Sequence, residues 1–395
     1  MTFLLKGKLI EEGKFPRLSR KIRLGIVGGG RIAATQAMAA RMTGFFEIVA
    51  GALSSNPDVA GERAADYHIA PERSYGCFSK MAEMEAGRDD GVELVMITTP
   101  NHLHYPAAQQ FINSGVAIMC DKPLVNEISE AEMLVTSVKE KGTIFSVGYV
   151  MSCFAMVREA KEIISQGALG NIRQIHVEFL QDWMVPEKSH EADHVKWRLD
   201  PNKSGKTSCV GDIGTHAAHL SSFVTGHRLT DLRAEFHVCG APKPLEDTVF
   251  MNTVYDKSIP GTLIATRLAS GNRGGLRLRV FGEKGGLEWD LEYCDQLKLN
   301  LFGKPDQVIT RGHGHGVSLN TERMVRTGRG FPEGIIEAWA NLYSEIAIAI
   351  ACKADGVLLP KNFTYIPKVE DGADGVRFIE AAVSSNNSGG VWVAV

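Results

Sequence analysis

Apolar positions follow two different patterns along the chain. In the first 150 residues they form short, nearly all-apolar runs, at 22–27, 47–54, 92–98 and 116–120, each bounded by turn residues. Runs that are apolar on both faces predict strands covered on both sides. A helical pattern over 32–42 follows the first of them, and strand–helix alternation continues to about residue 146, which predicts a parallel, doubly wound sheet. A helix over 152–166, ended by Gly167, introduces a second pattern with period two. Its members are Ile175, Val177 and Phe179; Leu232, Ala234, Phe236 and Val238; Leu276, Leu278 and Val280; Leu297, Leu299 and Leu301, with polar residues often between them. Such alternation predicts a largely antiparallel open sheet with one face buried. A late helix over 334–351 is expected to cover it. The fold class is therefore α/β followed by α+β: an arm at 1–20, a parallel-sheet domain at 21–147 and an antiparallel-sheet domain at 148–395.

Composition narrows the function classes. Lys and Arg number 43 against 46 Asp and Glu, a net charge of −3, so a polyanion such as nucleic acid is not the expected partner. No uncharged apolar run approaches the ~18 residues of a membrane span, the longest being residues 346–352, and no membrane association is expected. The short apolar patch at 3–5, followed by Lys6, Lys8, Glu11 and Glu12, suits neither a secretory signal nor a transit peptide. Seven cysteines without a C-x-x-C pair read as reduced thiols, and the expected location is the cytoplasm.

Chemistry enters at the strand ends. The run Ile22–Val27 leads into Gly28, Gly29 and Gly30, then Arg31, Ile32 and Ala33, giving strand, G-x-G-x-x-A and helix in order. Glycines let the backbone turn tightly and approach a pyrophosphate, whose charge sits on the amides and dipole of the helix start. This is the fingerprint of a Rossmann domain binding NAD or NADP. The acidic residue that commonly holds the adenosine ribose is absent: the second strand ends in Leu53, Ser54, Ser55 and Asn56, and Arg31 is the nearest phosphate partner visible in sequence. The reading leans to NAD and leaves NADP open.

Thr99, Pro100, Asn101, His102 and His104 follow the run at 92–98, and Asp121, Lys122 and Pro123 follow the next strand. Ligands of open α/β sheets bind outside such carboxyl ends. A lysine there can donate to a hydroxyl or carbonyl oxygen. Asp212 and His216, within Gly211–His216, are spaced to share a helix face, where a carboxylate can orient an imidazole base. Other signals carry less. His190, Glu191 and His194 match H-E-x-x-H, but their surroundings are not an apolar helix and no zinc is expected. His313 and His315 read as a surface loop, Cys120 as packing, and the basic residues from Lys6 to Arg23 as a solvated arm. Trp183 and Trp197 suit either core packing or stacking on a sugar ring.

Together these motifs resemble the glucose–fructose oxidoreductase / inositol dehydrogenase family (Gfo/Idh/MocA) over nearly the whole chain. Gln181, Asp182 and Trp183, Trp197 and Arg198, and Phe331, Pro332, Glu333 and Gly334 are similar to the branch acting on pyranosides and levoglucosan. The family usually has Glu where Asp121 stands. The resemblance implies cofactor contacts at Gly28, Gly30, Arg31, Ile32, Ala33, Ser54, Ser55, Thr99, Pro100, Asn101, His104, Asp121, Lys122, Trp197 and Arg198. It implies substrate contacts at Lys122, Tyr149, Trp183, Arg198, Asp212 and His216, with Lys122, Asp212 and His216 catalytic. His216 would take the proton of a secondary hydroxyl, Lys122 would polarise its oxygen, and Asp212 would orient both while hydride passes to the nicotinamide. The expected activity is an NAD(P)-dependent dehydrogenase of a cyclic sugar, glycoside or polyol, with C3 of a glucoside the most specific candidate. A redox-neutral NAD-dependent glycosidase and a non-catalytic dinucleotide-sensing regulator are the alternatives. The expected partner, besides a small carbohydrate, is a second copy of the chain, as homodimer or homotetramer.

Overall fold

The nearly all-apolar runs form the strands of a parallel sheet in the computed structural model of the chain, which describes residues 3–5, 8–10, 14–186, 193–312, 317–359 and 363–395. A hairpin of β1 (Phe3–Leu5) and β2 (Lys8–Ile10) comes first. The elements β3 (Ile22–Val27), α1 (Arg31–Met42), β4 (Phe46–Ala52), α2 (Pro57–Asp66), α3 (Phe78–Ala86), β5 (Leu94–Ile97), α4 (His104–Asn113), β6 (Ala117–Cys120), α5 (Ile128–Lys141) and β7 (Phe145–Val147) follow. All pairings are parallel in the spatial order β4-β3-β5-β6-β7. The order reverses at β3, so the carboxyl ends of β3 and β5 flank a switch-point crevice. Local chemistry fixes the helix limits. Asn56 caps α2 by accepting from the amides of Asp58 and Val59, and Gly142 ends α5 in the left-handed conformation at φ +59°.

The alternating segments build a second unit. After α6 (Ala155–Ser165) come β8 (Ile172–Leu180), the short helices α7 (Asp193–Lys196) and α8 (Pro201–Ser204), and α9 (Thr215–Thr225). Then follow β9 (Leu229–His237), β10 (Thr248–Tyr255), β11 (Ile259–Thr266), β12 (Gly275–Gly282), β13 (Gly285–Asp290), β14 (Gln296–Leu301), β15 (Gln307–Thr310) and α10 (Leu319–Arg323). With β16 (Val393–Ala394) at one edge they form a nine-stranded sheet, antiparallel except where β11 runs parallel to β8. Ile175, Val177, Phe179, Leu276, Leu278 and Val280 are buried on the face packed by α6 and α9. The alternation at 232–238 buries only Leu232 and Ala234; β9 ends at His237, and Val238 beyond it is exposed.

The late helix corrects the expectation that it covers the antiparallel sheet. That helix, α11 (Ile335–Ala354), belongs to the first compact unit, 1–150 with 335–373, while 151–334 and 374–395 form the second. It packs on α1, whose small residues Ala33, Ala37, Ala39 and Ala40 admit close approach. Tyr343 meets the Phe46 ring edge-on at 5.6 Å and donates to Gln36 Oε1 at 2.9 Å. In length and apolarity this helix could cross a membrane, but 78% of its apolar window is buried, as befits a helix that is apolar all round in a protein core. The last helix, α12 (Val369–Asn387), starts in the first unit and ends in the second.

The basic arm is not wholly solvated either. Phe15 and Leu18 pack against Ile348, Cys352 and Phe363, and Arg20 donates to Glu93 at 2.7 Å, with the Arg23 amide on the same carboxylate at 3.1 Å.

Candidate active site

The glycine turn begins at a position that only glycine can occupy. Gly28 sits at φ +98°, and a Cβ there would lie 2.9 Å from the Thr98 carbonyl carbon and oxygen. Its amide donates to Ala52 O at 3.0 Å while that of Thr98 donates to Val27 O at 2.8 Å, so β3, β4 and β5 end side by side. Around Gly30 there is open space, nothing lying within 4 Å of a Cβ placed there. No side chain caps α1, so the amides of Arg31, Ile32 and Ala33 face out of the helix start. Beside the turn Thr99 Oγ1 is buried with no hydrogen-bond partner among the described residues. An open helix start, a glycine approach and an orphaned hydroxyl fit the pyrophosphate and ribose of a dinucleotide.

At the end of β4 the structure adds a cation. Ser54 Oγ accepts from the Asn56 amide at 3.1 Å. Arg63, in the last turn of α2, donates from Nη1 to Leu53 O at 3.0 Å, and that atom would lie 2.7 Å from a Cβ at Gly29. Its only signal in the sequence is a basic residue ten positions beyond Leu53.

Two loops meet beyond β5 and β6. His104, read above as a cofactor contact, is instead a buried brace: Nδ1 faces Pro123 O at 2.9 Å and Leu124 O at 3.2 Å, and Nε2 faces Thr99 O at 2.8 Å. Burial favours the neutral ring, whose single N–H donates to the carbonyl on one side and links 99–104 with 121–124. Asp121 Oδ1 accepts from the Lys122 amide at 2.8 Å, and a Cβ at Gly148 would lie 2.9 Å from that oxygen, so glycine makes room for the carboxylate. Lys122 is half-buried at the carboxyl end of β6. Tyr149, expected to touch substrate, is fully enclosed just after β7 and presents no open surface. Cys120 is enclosed as expected, and burial pushes its thiol well above the usual range, leaving it protonated and inert.

In the second unit the sequence-predicted pair straddles a change of helix type. Asp212 lies on a π-helical turn, Val210–Gly214, and His216 in the first turn of α9. Buried Glu246 fixes the turn by accepting from the amides of Ser208 at 3.0 Å and Val210 at 2.9 Å; burial raises its carboxyl pKa despite these bonds. Arg267, 0% exposed, donates to Ser208 O at 2.6 Å, to Ser208 Oγ at 2.7 Å and to Asp212 Oδ2 at 3.0 Å. Its guanidinium carbon stands 5.3 Å from the centre of the Trp183 ring, and Trp183 Nε1 donates to Gln181 Oε1 at 2.8 Å. Arg198 approaches the same Asp212 oxygen at 4.0 Å and lies 4.5 Å from the Trp197 ring centre. His216 is 7% exposed, with Phe179 edge-on at 6.4 Å. Arg267, which the sequence pattern does not reveal, is the hydrogen-bond donor that fixes Asp212, with Arg198 farther off. Arg267 stands 55 positions from Asp212 and looks like the polar end of a strand. Glu333 braces its own loop, accepting from the amides of Arg326 and Thr327 at 2.6 Å each.

The H-E-x-x-H histidines and glutamate at 190–194 and the pair His313 and His315 lie outside the residues whose side chains are described. Among the described residues no group of three acidic, histidine or cysteine side chains is placed to hold a metal.

Comparison with known proteins matches both halves. The family model "Oxidoreductase family, NAD-binding Rossmann fold" matches residues 22–149, and the "GFO/IDH/MocA C-terminal domain" matches 157–288. An uncharacterised oxidoreductase of Bacillus subtilis, YfiI, is 31% identical over 95% of this chain and 97% of its own. Levoglucosan dehydrogenase of Pseudarthrobacter phenanthrenivorans is 25% identical over 80% of this chain and 82% of its own. Among solved structures, an inositol dehydrogenase homologue from Azotobacter vinelandii, complexed with NADH and myo-inositol, superposes with a TM-score of 0.88 at 30% identity, covering 98% of this chain and 100% of that one.

Proposed function

The chain belongs to the GFO/IDH/MocA family of oxidoreductases, and from that premise we propose that it is an NAD(P)-dependent dehydrogenase oxidising a secondary hydroxyl of a cyclic sugar, glycoside or polyol. The observation that carries the reading is the dinucleotide cradle at Gly28–Gly30, and the anchored Asp212 with His216 four positions on supports it from the second unit. The relatives named for levoglucosan and inositol point to the substrate class.

The glycine turn and the start of α1 would hold the dinucleotide, which when bound would supply the hydride acceptor. The chain's own residues handle the proton and the geometry. His216 takes the hydroxyl proton as the carbonyl forms, and Lys122 donates a hydrogen bond to the oxygen whose charge grows. Asp212, fixed by Arg267, holds the substrate side of the site against Arg198 and the Trp183 ring. Aromatic faces beside a guanidinium suit the apolar face and hydroxyl rim of a sugar ring. C3 of a glucoside is the position we assign within this class. The enzyme works in the cytoplasm as a homodimer or homotetramer.

Replacing either proton-handling residue tests the mechanism. Lys122→Ala and His216→Ala should each lower kcat by about 10²–10⁴ while calorimetry still shows dinucleotide binding. A variant that keeps near wild-type kcat removes its residue from the mechanism.

A further inference from the structure

The adenosine end of the cradle carries a cation that the activity reading leaves unused. Arg63 reaches from α2 across to the glycine turn, and its Nη1 is pinned to Leu53 O at 3.0 Å, one residue before Ser54. A Cβ at Gly29 would stand 2.7 Å from Arg63 Cδ and Nη1, so the side chain rests directly on the second glycine. Among the described residues Arg63 makes no ion pair. Only one of its five N–H groups is spent on Leu53, leaving an edge of the guanidinium for a planar, bidentate partner. In dinucleotide sites selective for NAD, a carboxylate at this strand end accepts from the ribose 2′-hydroxyl and repels a 2′-phosphate. Here the strand ends in two serines and an asparagine, and Asn56 Oδ1 is already engaged as the cap of α2. Hydroxyl donors and a cation, with no carboxylate at positions 53–56, suit a phosphate.

We propose that Arg63 is the specificity-determining residue for the adenosine ribose, donating to a 2′-phosphate so that the protein binds NADP+ at least as tightly as NAD+. This rests on the glycine turn being a dinucleotide site. The guanidinium, already held over the turn, pairs with the phosphate without first ordering a flexible side chain. The test is isothermal titration of the full chain with NAD+ and NADP+ in turn, without substrate. NADP+ should bind with a Kd no weaker than that of NAD+. Arg63→Gln should weaken NADP+ about ten- to hundredfold and shift NAD+ far less, with Arg63→Lys recovering part of the loss. Rising salt should weaken NADP+ more steeply than NAD+. Equal weakening of both dinucleotides in Arg63→Gln would make Arg63 a mere brace of the glycine turn and overturn the proposal. So would a wild-type chain that binds NAD+ and ignores NADP+. Binding of neither dinucleotide would overturn the cradle reading itself.

Discussion

At the scale of single residues, Arg267 decides whether Asp212 has a fixed place. It is fully buried, and three of its contacts converge on the turn that carries Asp212. Lysine keeps the charge but cannot reach Ser208 and Asp212 from one planar group. We expect Arg267→Lys to lower kcat at least tenfold with a smaller change in KM, and Arg267→Met to lower the midpoint of thermal unfolding as well. The physical cause is the same in both: Asp212 is left less well paired, though its partial exposure keeps the stability loss to about 1–3 kcal/mol. An Arg267→Lys enzyme with unchanged kcat and pH–rate profile would make this arginine a packing residue. The contrast with its neighbours shows what one-dimensional reading can see. Asp212 and His216 were legible because five consecutive residues of one motif hold both. Arg267, Glu246 and Arg63 reach their places through tertiary contacts that no spacing rule encodes. His104 was legible as part of a strand-end cluster, but its ring turns inward to carbonyl oxygens, a direction the motif does not carry.

Among elements, β5 and β6 could be read directly because burial on both faces leaves no polar residue to interrupt them, and β3 is interrupted only by Arg23. The strands β10 and β11 were missed. Threonine, asparagine and glycine occupy many of their positions, so their alternation is faint, and only pairing in the sheet reveals it. The helix α11 was visible but misplaced, since a helix apolar all round says that it is buried without saying against what. The arm gives a prediction of its own. Burial opposes ionisation of Glu93, but its bonds to Arg20 and to the Arg23 amide outweigh this and hold its carboxyl below the usual range. A carboxylate whose folded pKa is depressed stabilises the fold above its unfolded value near 4.5, and that contribution fades as pH falls through the folded value. Arg20 is 55% exposed, so a double-mutant cycle of Arg20→Ala with Glu93→Gln should give a coupling of only about 0.5 kcal/mol at pH 7. The coupling should shrink below pH ~4.5. A coupling that grows on acidification would contradict the pairing.

The two compact units divide the chemistry of the whole molecule: the cradle and Lys122 belong to the first, Asp212 and His216 to the second. The nine-stranded sheet covers one face with α6 and α9, and its other face carries Phe250, 48% exposed, and Phe281, 41% exposed, among charged and polar neighbours. A broad sheet face bearing exposed aromatics suits an isologous contact with a second copy. Light scattering should therefore return two or four times the 43.0 kDa chain mass, and Phe250→Glu combined with Phe281→Glu should shift it toward one. A monomeric wild-type chain would remove this face from the account. The central claim, oxidation of a cyclic secondary alcohol, is tested most directly by absorbance at the reduced-nicotinamide band. Protein is mixed with NAD+ or NADP+ against levoglucosan, inositols, glucosides and free sugars. A dehydrogenase should make the band grow with a related set of cyclic polyhydroxy substrates, and Lys122→Ala and His216→Ala should abolish that growth. Release of free sugar from a glucoside with no net growth of the band would contradict the claim, showing a redox-neutral glycosidase in place of a dehydrogenase.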